Sequence, residues 1–113
     1  MDLELAAAED FFRYHVVVGT VLSAELNPRA KKPAYHLVID FGDYGTKESS
    51  AQLTVRYSMA QLVGRQVVAV VNFPPKQIAG VTSEVLILGA MVSETDVVLL
   101  SPDSPVPNGM RVG

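Results

Sequence analysis

Ser58-Met59-Ala60-Gln61-Leu62-Val63-Gly64, followed at once by Arg65-Gln66-Val67-Val68-Ala69-Val70-Val71-Asn72-Phe73-Pro74-Pro75, decides how the rest of the chain is read. The first part suits one helical turn ended by glycine. The second is a strand of the fully buried type, stopped abruptly by two prolines. Upstream, His15 to Glu25 is dense in β-branched residues, with Val17, Gly19, Val21 and Ser23 alternating against Val16, Val18, Thr20 and Leu22. Asn27-Pro28 breaks that strand. Ala34 to Phe41 reads as a second, and Gly42-Asp43-Tyr44-Gly45 turns the chain into a third, Ser49 to Val55. Downstream, Glu84 to Leu88 and Asp96 to Leu100 are the last clear strands before a Pro-rich tail.

Short strands with regular turn signals predict an all-β protein. A lone helical turn between the third and fourth strands narrows this to a five-stranded Greek-key barrel of the OB type. The first fourteen residues predict a helix: Asp2 is a candidate N-cap, Ala6, Ala7 and Ala8 favour helix, and Glu9 and Arg13 form an i,i+4 pair. Leu5, Ala8 and Phe12 then share one face. With no repeat and no linker, residues 1–113 form a single domain in which 1–14 is a helical N-terminal extension.

A chain of 113 residues and 12.2 kDa buries roughly two-thirds of its unfolded surface, enough for one real core. Apolar residues make up 49% and charged residues 19%, which excludes disordered and low-complexity classes. The longest apolar run, Val85 to Val92, has eight residues and is too short for a membrane helix. The first ten residues carry four acids and no basic side chain, unlike a secretory signal. Zero cysteines exclude disulfides and thiolate metal sites and fit a reducing cytoplasm, the expected location.

The net charge of −3 is unevenly spread. Residues 1–10 sum to −4, residues 29–76 to +4, and residues 77–113 to −3. A basic middle can meet a polyanion through one face, although seven bases can equally be scattered over a soluble surface.

Enzymatic signatures are absent. There is no Gly-x-Gly, no phosphate-cradling glycine loop and no nucleophile elbow. His15 and His36 lie 21 positions apart without a carboxylate at ligand spacing, so no metal is expected. Asp40-Phe41-Gly42 reads as a turn. The expectation is a protein that is not an enzyme and has no cofactor.

Three segments exceed what a minimal barrel needs. Asn27-Pro28-Arg29-Ala30-Lys31-Lys32-Pro33 holds three bases between two prolines, presenting them with little entropy to lose. Asn72-Phe73-Pro74-Pro75-Lys76-Gln77-Ile78-Ala79-Gly80 follows the most apolar strand, and Ser83 to Gly89 opens an apolar strand with a polar residue. Each alone also reads as ordinary turn chemistry. Loops on one side of such barrels are where oligonucleotides bind.

Together with Val18-Gly19-Thr20-Val21, Glu25-x-x-Pro28-x-Ala30, Asp40-Phe41-Gly42, Ser49-Ser50-Ala51-Gln52 and Leu62-Val63-Gly64-Arg65-Gln66-Val67, these segments resemble the CsaA family. CsaA is an export-related chaperone branch of the tRNA-binding domains that also end many bacterial methionyl-tRNA synthetases. The resemblance runs from Phe12 to Val112, and the Asn-Phe-Pro-Pro-Lys-Gln-Ile and Ser-Ser-Ala-Gln runs are its most specific parts. It implies a homodimer that binds folded tRNA through a basic face, at Arg29, Lys31, Lys32, Ser50, Gln52, Asn72, Lys76 and Ser83. Lysines and Arg29 would neutralise phosphates, and Asn72, Ser50 and Ser83 would bond sugar or phosphate oxygens. With no Trp and only 7% aromatics, stacking platforms are few, so shape and backbone recognition are expected. The alternative implied by the resemblance is a chaperone that holds unfolded preproteins for the export machinery, with Phe73, Pro74, Pro75 and Ile78 accepting apolar side chains. Leu3, Leu5, Phe11 and Phe12 are the expected dimer contacts.

Overall fold

β-Branched residues crowd β1 (Val16–Leu26), and the barrel is organised around this one long strand. The computed structural model describes residues 1–113. After β1 come β2 (Tyr35–Asp40), β3 (Thr46–Ala51), a single-turn helix α1 (Met59–Leu62), β4 (Gln66–Val70), β5 (Lys76–Ile78), β6 (Val81–Ser83), β7 (Leu86–Ile87), β8 (Gly89–Met91) and β9 (Val97–Leu99). Five strands form one antiparallel sheet in the order β3-β2-β1-β4-β7. The first half of β1 pairs with β4 (Val16↔Val70 to Thr20↔Gln66) and the second with β2 (Thr20↔Asp40 to Leu26↔Tyr35). This offset coils the sheet. The linker between β6 and β7 then meets β3, where the Glu84 N–H donates to the Glu48 carbonyl at 2.8 Å and the Ser49 hydroxyl to the Val85 carbonyl at 3.4 Å. The result is a nearly closed five-stranded barrel of the OB type.

The β1–β2 register slips between Val21↔Ile39 and Ser23↔Val38, so Leu22 is an extra residue in a bulge. Side-chain parity therefore switches along β1. Val17 and Val21 point into the core, but beyond the bulge Ala24 is buried and Ser23 only half-buried, against the strict alternation expected. Leu37, Ile39, Phe41 and Val67 fill the interior, and Leu62 of α1 plugs it from one end. A capping box fixes that turn: the Ser58 hydroxyl accepts the Gln61 N–H at 3.2 Å, and the Gln61 side chain accepts the Ser58 N–H at 2.8 Å.

The outer face of β1 and β4 is also apolar. Val16, Val18, Val68 and Val70 form a second cluster, covered by Leu88 and by Val106 and Val112 of the C-terminal tail. The tail is tied down by backbone bonds on β1: Val18 N–H to the Met110 carbonyl at 3.0 Å, Gly109 N–H to the Val18 carbonyl at 2.7 Å and Val112 N–H to the Val16 carbonyl at 2.8 Å. Burial on both faces explains why β4 reads as an unbroken apolar run.

The N-terminal extension differs from expectation. Only Ala8–Arg13 is helical, as a 3-10 helix starting at Ala7 without a side-chain cap, and Asp2 caps nothing. None of its residues is buried, and a helix this short is marginal without packing. The glycine turn after β2 behaves as read. Gly42 (φ +63°) and Gly45 (φ +90°, ψ −179°) both have positive φ, and the Gly42 N–H donates to Asp40 Oδ1 at 2.8 Å. The third strand starts earlier than expected, at Thr46, and the stretch after Pro75, read as loop, contains the β5–β6 hairpin.

Candidate nucleic-acid interface

Proline has no N–H to give a sheet ladder, so Pro74-Pro75 ends the chain's run beside β1 and sends it outward. It returns as the hairpin β5–β6, with Lys76 opposite Ser83, Gln77 opposite Thr82 and Ile78 opposite Val81. The two-residue connection, Ala79 (φ +49°) and Gly80 (φ +85°), has the left-handed pair of a type I′ turn. Alanine is the costly member, disfavoured there by about 1 kcal/mol. Ala79→Asn supplies the residue this turn prefers, and we expect it to raise the thermal midpoint by roughly 3–5 °C in a calorimetric scan.

The hairpin is one wall of a groove of about 780 Å³. The end of β3 and the segment through β7 line it, and the β8–β9 hairpin contributes Met91, Glu94, Val97 and Leu99. Ser50, Gln52, Lys76 and Ser83 line this groove together with Phe73, Pro74, Pro75 and Ile78, so the residues expected for RNA and for apolar peptide share one cavity. The Ser83 hydroxyl already accepts the Ser50 N–H at 3.2 Å. Sequence reasoning passed over Glu84 and Glu94, whose carboxylates offset Lys76, and the exposed apolar Leu86 and Met91. Their only signal was the alternation after Ser83.

Arg29, Lys31 and Lys32 stand outside the groove on the exposed β1–β2 loop. The structure nevertheless joins that loop to the hairpin tip. The Asn27 amide donates to the Ala79 carbonyl at 3.3 Å, and Arg29 lies across Gly80 so closely that a Cβ there would come within 2.9 Å of Cζ. Hence Arg29 marks one end of β5–β6 and Lys76 the other, on the order of 10 Å away along the strands.

Asn72 is placed differently from the rest. Its Oδ1 accepts the His15 N–H at 2.8 Å and its Nδ2 donates to the Arg13 carbonyl at 2.9 Å, so both ends of the amide hold the entry to β1. These bonds are exposed, and Asn72→Ala should cost about 1 kcal/mol in denaturant titrations and quicken proteolysis at Arg13, with little change in ligand affinity per folded molecule. Of the expected dimer contacts, Leu3 and Leu5 lie in the irregular segment, while Phe11 and Phe12 meet edge-on at 5.5 Å, and all four are exposed.

A bidentate ion pair fixes the far wall of the groove: Arg56 donates to Asp96 through Nε at 2.8 Å and Nη2 at 2.9 Å. Hydrogen bonding by Arg56 holds the Asp96 carboxyl below its usual range. That contribution to stability is present above the ordinary carboxylate pKa and is lost as pH falls through the lowered one.

No three His, Cys, Asp or Glu side chains come together where they could hold a metal, and no helix is long and apolar enough to cross a membrane. Residues 16–111 match the tRNA binding domain family model, tRNA_bind. The chain belongs to the tRNA-binding domain family. Its relatives within that family include the chaperone CsaA of Bacillus anthracis, whose crystal structure superposes with a TM-score of 0.93 at 50% identity, covering 97% of this chain and 100% of that one. The CsaA chaperone protein of Picrophilus torridus superposes with a TM-score of 0.87 at 42% identity, covering 96% and 100%. A methionine–tRNA ligase of Methanococcus aeolicus is 32% identical over 110 residues, which are 97% of this tRNA-binding domain and 16% of the ligase. The chain thus spans about one-sixth of the ligases it matches, and matches CsaA structures over their whole length. The CsaA resemblance carried by the Asn-Phe-Pro-Pro-Lys-Gln-Ile and Ser-Ser-Ala-Gln runs holds at the level of structure.

Proposed function

We propose that the protein is a non-enzymatic tRNA-binding module that holds folded tRNA through the β1–β2 loop and the β5–β6 hairpin. The observation that carries this reading is the join between them: Asn27 and Arg29 meet the hairpin turn, which brings the loop that holds Arg29, Lys31 and Lys32 against the hairpin that begins at Lys76. Arg29, Lys31, Lys32 and Lys76 neutralise phosphates, and Ser50, Gln52 and Ser83 offer hydrogen bonds beside them. Asn72 belongs to the support of this face rather than to its contacts. The apolar floor offers little to a charged ligand and few rings on which bases could stack, which favours recognition of the folded backbone.

The module works as a homodimer in the cytoplasm. Exposed Leu3, Leu5, Phe11 and Phe12 support pairing, which also doubles a modest positive face. Fluorescence anisotropy with labelled tRNA tests the main reading. With four to eight phosphates neutralised, log affinity falls against log salt with a slope of roughly −3 to −7, and a salt-insensitive interaction would sink it. A mass of about 12 kDa by light scattering at micromolar concentration would dispose of the dimer.

One observation favours a second reading. Phe73, Pro74, Pro75 and Ile78, with exposed Leu86 and Met91, give the groove a surface suited to an extended apolar segment, and two of the relatives matched over their whole length are described as chaperones, while a third is described as MetRS-related. On this reading the protein holds unfolded preproteins for the export machinery. Titrating labelled tRNA against a labelled basic-hydrophobic peptide separates one shared site, shown by mutual displacement, from two.

A further inference from the structure

The turn of the β5–β6 hairpin is held in place by residues from another loop. Ala79 (φ +49°) is the one non-glycine residue of the chain with left-handed backbone, a conformation a side chain disfavours. Three register pairs do not hold a hairpin in water; the buried Val81 side chain and the Ser50 N–H on the Ser83 hydroxyl hold its β6 strand to the barrel, which leaves the tip to other contacts. Its tip is fastened by the Asn27 amide on the Ala79 carbonyl and by Arg29, which lies over Gly80. Yet the Arg29 guanidinium has no carboxylate partner and makes no hydrogen bond; only its backbone N–H is bonded, to Asn27 Oδ1 at 3.1 Å. A planar fork of five donors is thus spent as a cover over a glycine, next to Lys31 and Lys32.

We propose that Arg29 is an anion-released latch: a phosphate chain bound at Arg29, Lys31 and Lys32 draws the guanidinium off Gly80, loosens the β5–β6 hairpin and weakens the hold of the groove on an apolar ligand. Charge-assisted, bidentate bonds to phosphate outweigh a dispersion contact with a glycine, so the anion wins the side chain. The loosened tip displaces Ile78, which lines the groove beside the turn, while Ser83 at the hairpin's base stays bonded to the Ser50 N–H. Phosphate binding and apolar binding then oppose each other without touching the same atoms, a coupling that must act equally in both directions. The inference rests on the phosphate-binding reading of the β1–β2 loop.

Hydrogen exchange of the full chain, with and without saturating tripolyphosphate, tests it, with calorimetry reporting binding of the anion itself. The amides of residues 76–83 should exchange roughly fivefold faster with the anion, and the uncharged dye Nile red should lose affinity for the groove by a similar factor. Arg29→Met keeps an aliphatic cover over Gly80 but offers phosphate nothing, so its hairpin should stay slow and ignore the anion that Lys31 and Lys32 still bind. Arg29→Ala should exchange fast from the start. Hairpin exchange that is unchanged or slowed while calorimetry registers binding overturns the latch alone, as does slow exchange in Arg29→Ala. No binding of tripolyphosphate at low salt overturns the phosphate-binding reading, and the latch falls with it.

Discussion

Lys31→Glu combined with Lys32→Glu should lower tRNA affinity by roughly a hundredfold near 0.1 M salt, the largest effect any surface change in this chain should have. Both side chains are exposed and neither makes a hydrogen bond or ion pair within the protein, so the barrel loses nothing when they change. The reversal removes about two phosphate contacts and adds two repulsions, and each lost contact flattens the salt slope by about 0.9. Anisotropy titrations at several salt concentrations measure affinity and slope together, while a melting curve confirms an unchanged fold. Wild-type affinity in the double variant would move the function to the apolar groove. The effect should also shrink as salt rises, because at about 1 M the Debye length is only about 3 Å.

The second large effect is on stability. Gly42→Ala should cost about 4 kcal/mol or more, whereas Gly45→Ala, three residues on, should cost about 2 kcal/mol. Both glycines have positive φ, at +63° and +90°, and Gly45, with ψ −179°, lies in a region essentially confined to glycine, so conformation alone does not make Gly42 the costlier of the two. Space does. A Cβ on Gly45 meets nothing within 4 Å, but one on Gly42 would lie 2.3 Å from the Asn108 carbonyl oxygen, which is rigid backbone. Gly109 is hemmed in from the other side, its Cβ position falling 2.7 Å from the Phe41 carbonyl oxygen. The glycine turn and the tail therefore approach each other backbone to backbone, and a methyl group must push the tail off the barrel. Thermal unfolding of the two variants gives the contrast, with the Gly42 variant melting at least 10 °C lower. Binding per folded molecule should survive in both, since the turn is not part of the cationic edge.

The Gly42-to-Gly45 turn shows what a sequence makes legible and what it hides. Two glycines bracketing Asp-Tyr after an alternating strand announce a turn, and the turn is there. Which glycine is irreplaceable depends on Asn108, more than sixty residues away, and no local pattern carries that. The barrel was legible for the same local reasons: β-branched alternation in β1 and β2, the prolines after β4 and the single helical turn of α1. The bulge at Leu22 was not, because it arises from the register of two strands. The β5–β6 hairpin escaped because strands of three residues are shorter than the alternation needed to see them, and because its turn uses Ala79 where Asn or Gly would have signalled it. Among candidate site residues, eight came together in one groove because the motifs that named them sit on strands the barrel forces side by side. Arg29 stood apart in sequence, and only the fold put it on Gly80. Asn72 reads as a polar group beside a ligand loop, yet its amide serves the backbone of Arg13 and His15, a use that requires knowing what runs alongside.

The C-terminal tail carries a consequence for the order in which the molecule is made. Residues 109–112 bond the opening of β1 at Val16–Val18, and the Arg111 guanidinium donates to the Phe12 carbonyl at 2.8 Å, so contacts are closed across 99 positions of chain. Long-range closures of this kind are slow, because the entropy of the intervening loop must be lost before any contact compensates for it. During synthesis, at about 5–20 residues per second, the stretch from Ser101 onward is still inside the ribosome when β1 and β4 are already outside. For those seconds Val16, Val18, Val68 and Val70 present a bare apolar stripe to solvent. A nascent chain stalled before Ser101 should accordingly be captured by holdases and sensitive to protease, and emergence of residues 101–113 should end both.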